Sequence, residues 1–162
     1  MRNLPQDYGE YFSALRNLHS LTLFNTRIEN IDEYGFRIGF SVFRKTLTYL
    51  CLERSYMLFG VFVTLVDYFP NIRTLRLGAF VREPEAGPVP NLSRPLRGRV
   101  EIYGGISCLD FLHRFARLDL QYDEVVIDTF NLVMEAKYLE RALQLSATTV
   151  KILRLAVRLP RE

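Results

Sequence analysis

Few residues in this chain have side chains that could do chemistry. His19 and His113 are its two histidines, Cys51 and Cys108 its two cysteines. His19 adjoins a predicted strand and His113 lies on a predicted helix beside Arg114. A lone histidine in such places is a solvated or core residue. No Cys and His spacing matches a metal-ligand set, and there is no nucleophile elbow or Gly-x-Gly-x-x-Gly phrase. Asp110, Asp119, Asp123, Glu124 and Asp128 make a local acidic run, but they fall on different predicted elements. Acid–base catalysis needs carboxyl groups that converge. The expectation is a protein that is not an enzyme, with no catalytic residue, no metal site and no cofactor. A second set is suited to contact: Tyr49, Glu53, Arg76, Arg99, Glu101, Tyr103 and Arg154. Aromatic rings and arginines supply much of the energy of protein interfaces.

Positioning that set requires a regular scaffold, and a repeated phrase supplies one. Three apolar residues in the pattern leucine-x-x-leucine-x-leucine recur at Leu18-Leu21-Leu23, Leu47-Leu50-Leu52 and Ile72-Leu75-Leu77. Weaker copies follow at Leu96-Val100-Ile102 (one residue too long), Tyr122-Val125-Ile127 and Val150-Leu153-Leu155. The middle residues are 29, 25, 25, 25 and 28 positions apart. A period in the twenties is the mark of a solenoid, in which one repeat buries its apolar face only against a neighbour. Phe115-Leu118-Leu120 is a competing copy, but it breaks the even spacing that stacked repeats need to stay in register.

Each copy predicts a strand, at about residues 19–24, 48–53, 73–77, 99–103, 124–128 and 150–155. Apolar spacing predicts helices between them, over 4–15, 32–45, 57–69, 107–118 and 130–145. Pro70 ends the helix at 57–69. Residues 82–98 carry Pro84, Gly87, Pro88, Pro90, Pro95 and Gly98, a density that predicts an irregular loop in place of a helix. Arg94, Arg97 and Arg99 beside it are suited to meeting an acidic segment. The fold class read from this pattern is α/β: a single solenoid domain, residues 1–162, of about six irregular repeats with a parallel inner sheet and outer helices.

The phrase resembles the leucine-rich repeat family, over about residues 12–158. The asparagine or cysteine that normally follows the third apolar position, satisfying backbone groups at the turn, is mostly missing. Asn25 or Thr26, Ser55 and Phe80 stand near it. More narrowly, Leu65-Val66-Asp67-Tyr68-Phe69-Pro70-Asn71-Ile72, Pro90-Asn91-Leu92-Ser93-Arg94-Pro95-Leu96-Arg97-Gly98 and Tyr122-Asp123-Glu124-Val125-Val126-Ile127 are similar to the F-box and leucine-rich-repeat-like proteins of mushroom-forming fungi. In that family an F-box docks a ubiquitin-ligase adaptor and the repeats hold a substrate. There is no leucine-proline-x-glutamate opening here, and Leu4-Pro5-Gln6 is a poor echo of one. The resemblance therefore implies the repeat half alone, a substrate-recognition part without its F-box.

In each predicted strand the residues between the apolar anchors face outward: Thr22, Cys51, Arg76, Glu101, Val126 and Arg154, flanked by Phe24, Tyr49, Glu53, Arg99, Tyr103, Glu124 and Asp128. Six strands of four residues offer about 300 Å² of flat face. A standard interface takes about 800 Å² from each partner. The 82–98 loop contributes, the binding is weak, or the solenoid is longer than this stretch. The alternative to a binding module is a structural fragment that self-associates through its last strand.

Bulk composition fits these readings. The chain has 162 residues, 49% apolar and 24% charged, as in ordinary globular domains. All but Lys45, Lys137 and Lys151 of its 21 basic residues are arginine. With a net charge of +3 and no basic run, a nucleic-acid partner is not expected. Residues 56–66, the most apolar stretch, are too short to span a bilayer, so no membrane partner is expected either. Two isolated thiols without a signal-peptide core indicate reduced cysteines and an intracellular location, cytoplasmic or nuclear. The expected partner is a protein whose identity the sequence does not carry.

Overall fold

The computed structural model describes residues 2–3, 14–29, 34–82, 92–103, 120–131, 140, 144 and 150–158. Among these residues eight strands form one sheet: β1 (Arg2–Asn3), β2 (Ser20–Phe24), β3 (Thr26–Ile28), β4 (Tyr49–Leu58), β5 (Thr74–Arg82), β6 (Leu96–Tyr103), β7 (Leu120–Asn131) and β8 (Ile152–Arg158). Their pairings are all parallel. β2 and β3 lie end to end against β4, so the sheet is seven strands wide and its spatial order follows the chain. Two short helices, α1 (Tyr34–Ser41) and α2 (Phe59–Tyr68), complete an α/β architecture among the described residues.

The middle residues of the repeated phrase stand side by side. Leu21 pairs with Leu50, Leu50 with Leu75, Leu75 with Val100, Val100 with Val125 and Val125 with Leu153. The third residues align the same way, from Leu23 through Leu52, Leu77, Ile102 and Ile127 to Leu155. Two apolar rows thus run across the sheet on one face. A one-residue slip would turn every anchor to water, and that fixes the register. Leu120 pairs with Leu96 at the start of β7, so the evenly spaced register is the one adopted.

Most strands run longer than the phrase predicts. After the third apolar residue the chain bends and then continues as a second strand leg. Asn25 and Arg54, at matching places in neighbouring strands, take left-handed backbone angles, with φ of 52° and 51°. Such angles are uncommon outside glycine. The pairing skips a residue at this point in β4 against β5, and again in β7 against β8. Ser55 secures the bend from within. It is fully buried, its Oγ 3.0 Å from the Leu23 carbonyl and 3.1 Å from the Glu53 carbonyl. The Thr26 hydroxyl lies 2.9 Å away on its other side. The Glu53 carbonyl also accepts from the Asn25 amide at 2.9 Å, so the buried hydroxyl ties the two neighbouring bends together.

α1 and α2 are shorter than the predicted helices at 32–45 and 57–69; residues 42–46 form turns instead. α2 buries Phe59, Phe62, Val63, Leu65 and Val66. Phe40, Phe43 and Phe69 pack as a cluster, with ring centroids 5.3 to 5.9 Å apart. Arg94 hydrogen-bonds the carbonyls of Phe69 and Pro70, just beyond the C-terminus of α2, where a cation is favoured. Asp67 accepts from the Ser93 amide and hydroxyl at 3.0 and 2.6 Å. The expectation that Arg94 reaches for a partner is corrected: its guanidinium is used inside the fold. The rest of the proline-rich loop, residues 83–91, and the predicted helices at 4–15, 107–118 and 130–145 lie, but for a few residues, outside the described residues; β7 takes Phe130 and Asn131 into a strand.

Candidate interaction face

The register that stacks the anchors inward also sorts the intervening residues into outward rows. Ser20, Tyr49, Thr74, Arg99, Glu124 and Ile152 form one row. Thr22, Cys51, Arg76, Glu101, Val126 and Arg154 form the next. Phe24, Glu53 and Gly78 pair in a third, as do Tyr103 and Asp128. All seven contact residues singled out from the sequence therefore share one face.

Their charges are not equally available. Arg99 Nε lies 2.8 Å from Glu101 Oε1, and its Nη1 lies 3.8 Å from Glu124 Oε2. Arg154 Nε reaches the other oxygen of Glu124 at 2.9 Å. The Tyr103 hydroxyl donates to Glu101 Oε2 at 3.0 Å. Glu101 is buried beneath these neighbours, and Cys51, two places along the row, is buried as well. Reversing Arg76 and Glu101 together is therefore a poor probe of binding. The Glu101 half would strand a buried charge.

Arg76 is different. Its guanidinium sits 4.0 Å from the centroid of the Tyr103 ring, within cation–π range. The Tyr49 phenol lies close enough to favour its charge. Burial works against its charge, but the nearby Tyr49 and Tyr103 raise its pKa above the ordinary arginine value. Among the described residues no carboxylate lies within ion-pair distance of it. Burial pushes the phenols of Tyr49 and Tyr103 up, and Glu101 adds to the rise at Tyr103. Burial also pushes the Cys51 thiol up, against the pull of Arg76. A protonated, buried thiol is a poor nucleophile.

Beside Arg76 the face is hollow. A cavity of about 300 Å³ is lined by Cys51, Glu53, Arg54, Arg76, Gly78 and Tyr103. Gly78 pairs with Glu53 across β4 and β5 and offers no side chain to fill the space. Sequence reasoning missed Gly78 and Arg54. A glycine inside a strand pattern signals close approach or a missing side chain, so Gly78 was open to detection. Arg54 was not, because it joins the hollow only through the left-handed bend.

His19 is structural: its Nδ1 lies 2.9 Å from the Thr46 carbonyl, which requires the imidazole to donate there. Among the described residues no three His, Cys, Asp or Glu side chains cluster as a metal site would need. No described helix is long and apolar enough to cross a membrane. Neither a family model, nor a curated protein, nor a solved structure matches this chain, and the functional reading rests on the geometry of the face.

Proposed function

We propose that this chain is a non-enzymatic protein-interaction module: a solenoid of about six leucine-rich-repeat-type coils that holds a protein partner on the outward face of its sheet. The observation that supports the reading most directly is the unbroken register from Leu21 to Leu153. It gathers Tyr49, Arg76, Tyr103 and Arg154 onto one wall, with Arg76 lacking a carboxylate partner among the described residues. Rings and arginines held rigid in this way are the groups that anchor interfaces. Ser55 supports the repeat reading. It serves at the bend as the asparagine of that repeat pattern does, by satisfying backbone groups. The module works inside the cell, in cytoplasm or nucleus. In its narrower form it is the substrate-recognition part of an F-box-type ubiquitin-ligase receptor.

The test is capture of cross-linked partners by wild type, by Arg76→Glu on the face and by Thr64→Glu on the exposed side of α2. The expected result is loss of capture for Arg76→Glu alone, with all three proteins melting within a few degrees of one another. Equal capture by Arg76→Glu and wild type removes the face from consideration. Recovery of a cullin adaptor with wild type supports the ligase form.

One observation favours a second reading. Leu153 and Leu155 on β8 are exposed although their row-mates are buried, and Ile152 beside them on the outward side is exposed too. A structural fragment that self-associates through β8 would cover them. Light scattering across a hundredfold concentration range separates the readings, since a concentration-dependent dimer belongs to the second.

A further inference from the structure

The hollow beside Gly78 has the makings of a specificity pocket, on the footing that the sheet face is the binding surface. Its volume of about 300 Å³ is at the lower edge for small-ligand sites and leaves room for one side chain and its backbone. Among the described residues its walls carry two cations, Arg54 and Arg76, and one anion, Glu53. Arg54 is exposed and lies over the Phe24 ring at 5.7 Å. The Arg76 head is held over the Tyr103 ring, 4.0 Å from its centroid. Arg99 and Arg154, in contrast, are already neutralised by Glu101 and Glu124. A guanidinium fixed in place, and without a carboxylate among the described residues, is prepared to take an anion and loses little freedom in doing so.

Glu53 decides which anion. A phosphate carries close to two negative charges and would face Glu53 at short range. A carboxylate carries one, and a peptide that brings it also brings a backbone N–H that Glu53 can accept. We propose that this hollow receives a single Asp or Glu side chain of an extended partner segment, with its carboxylate on Arg76 and a main-chain N–H on Glu53. Glu53 is then the residue that rejects phosphorylated segments.

The probes are three blocked pentapeptides, alanines on either side of a central glutamate, glutamine or phosphoserine. Binding is read from the Arg76 Nε–H resonance of the 15N-labelled full chain. The glutamate peptide should bind on the order of tenfold tighter than the glutamine peptide, as a charge-assisted hydrogen bond requires. The phosphoserine peptide should bind less tightly than the glutamate peptide, and Glu53→Gln should reverse that order. Gly78→Leu should abolish the response by filling the space. A Cβ at Gly78 stands 3.6 Å from Glu53 Cγ, an ordinary contact, and a melting curve shows that the variant is folded. Equal response to glutamate and glutamine overturns the proposal. So does tightest binding of phosphoserine by wild type, or retained binding in folded Gly78→Leu. If the peptides fail while Arg76→Glu still abolishes partner capture, the pocket is lost and the face reading stands. If capture ignores Arg76→Glu while the peptides bind as expected, the face reading fails on its own.

Discussion

Leu50 and Leu153 occupy the same row of one sheet, five strands apart counting both, yet Leu50 is 0% exposed and Leu153 is 38% exposed. Leu52 and Leu155 repeat the contrast in the next row. Residue type and backbone setting are the same, so the difference comes from what lies around each residue. Leu50 has strands on both sides, with the aromatic layer of Phe43, Phe62 and Phe69 in the same buried cluster. Leu153 has β7 on one side among the described residues. Burial in a stacked sheet is thus supplied by neighbours, and equal side chains stabilise it unequally.

Alanine substitution tests this most directly. Leu50→Ala should cost about 4 kcal/mol in urea denaturation and Leu153→Ala about 1 kcal/mol. Equal costs would break the comparison. The next largest effect is at the two sheet glycines. Gly98 has φ of +112°, and a Cβ there would stand 2.2 Å from the Arg73 carbonyl oxygen. Gly98→Ala should therefore cost about 3 kcal/mol, combining strain and overlap. Gly78→Ala meets only ordinary contacts and should change stability by less than about 1 kcal/mol.

The ion pairs sharpen the contrast further. Glu101→Gln removes a buried partner of Arg99 and Tyr103 and should cost about 2 kcal/mol. Asp123→Asn removes the Lys151 pair, exposed at the far end of the sheet, and should cost no more than about 0.5 kcal/mol. Tyr122 on β7 marks how far the buried zone extends. Burial holds its phenol well above the usual tyrosine value. The folded state therefore disfavours the phenolate, and the stability that depends on the neutral ring is complete below about pH 10. It is lost as the pH rises further, by about 1.4 kcal/mol per unit. Urea midpoints should fall above pH 10 in wild type and fall less in Tyr122→Phe.

The anchors were legible because a strand turns alternate residues inward, and stacked strands must match anchor to anchor. Leu21, Leu50, Leu75, Val100, Val125 and Leu153 could be read for that reason alone. The second strand legs could not, because they depend on left-handed angles at Asn25 and Arg54 that neither residue type demands. The outward face was read correctly as to membership but not as to depth. Cys51 and Glu101 belong to an outward row, yet larger neighbours cover them. Which arginine lacks a carboxylate among the described residues also escaped the sequence. Arg76, Arg99 and Arg154 are alike there, and only the positions of Glu101 and Glu124 separate them. Arg94 looked available for the same reason, until the end of α2 took its donors.

That the sheet's order in space follows the chain has a kinetic consequence. Every ladder closes a stretch of similar length, from Arg2 against Thr26 to Leu50 against Leu21. Closure costs rise only about 0.6 kcal/mol per doubling of loop length, so steps of 25 and 29 residues are nearly equivalent. No strand waits for a distant one. The polypeptide can settle vectorially as it leaves the ribosome, each strand from β4 onward docking on what was synthesised just before it.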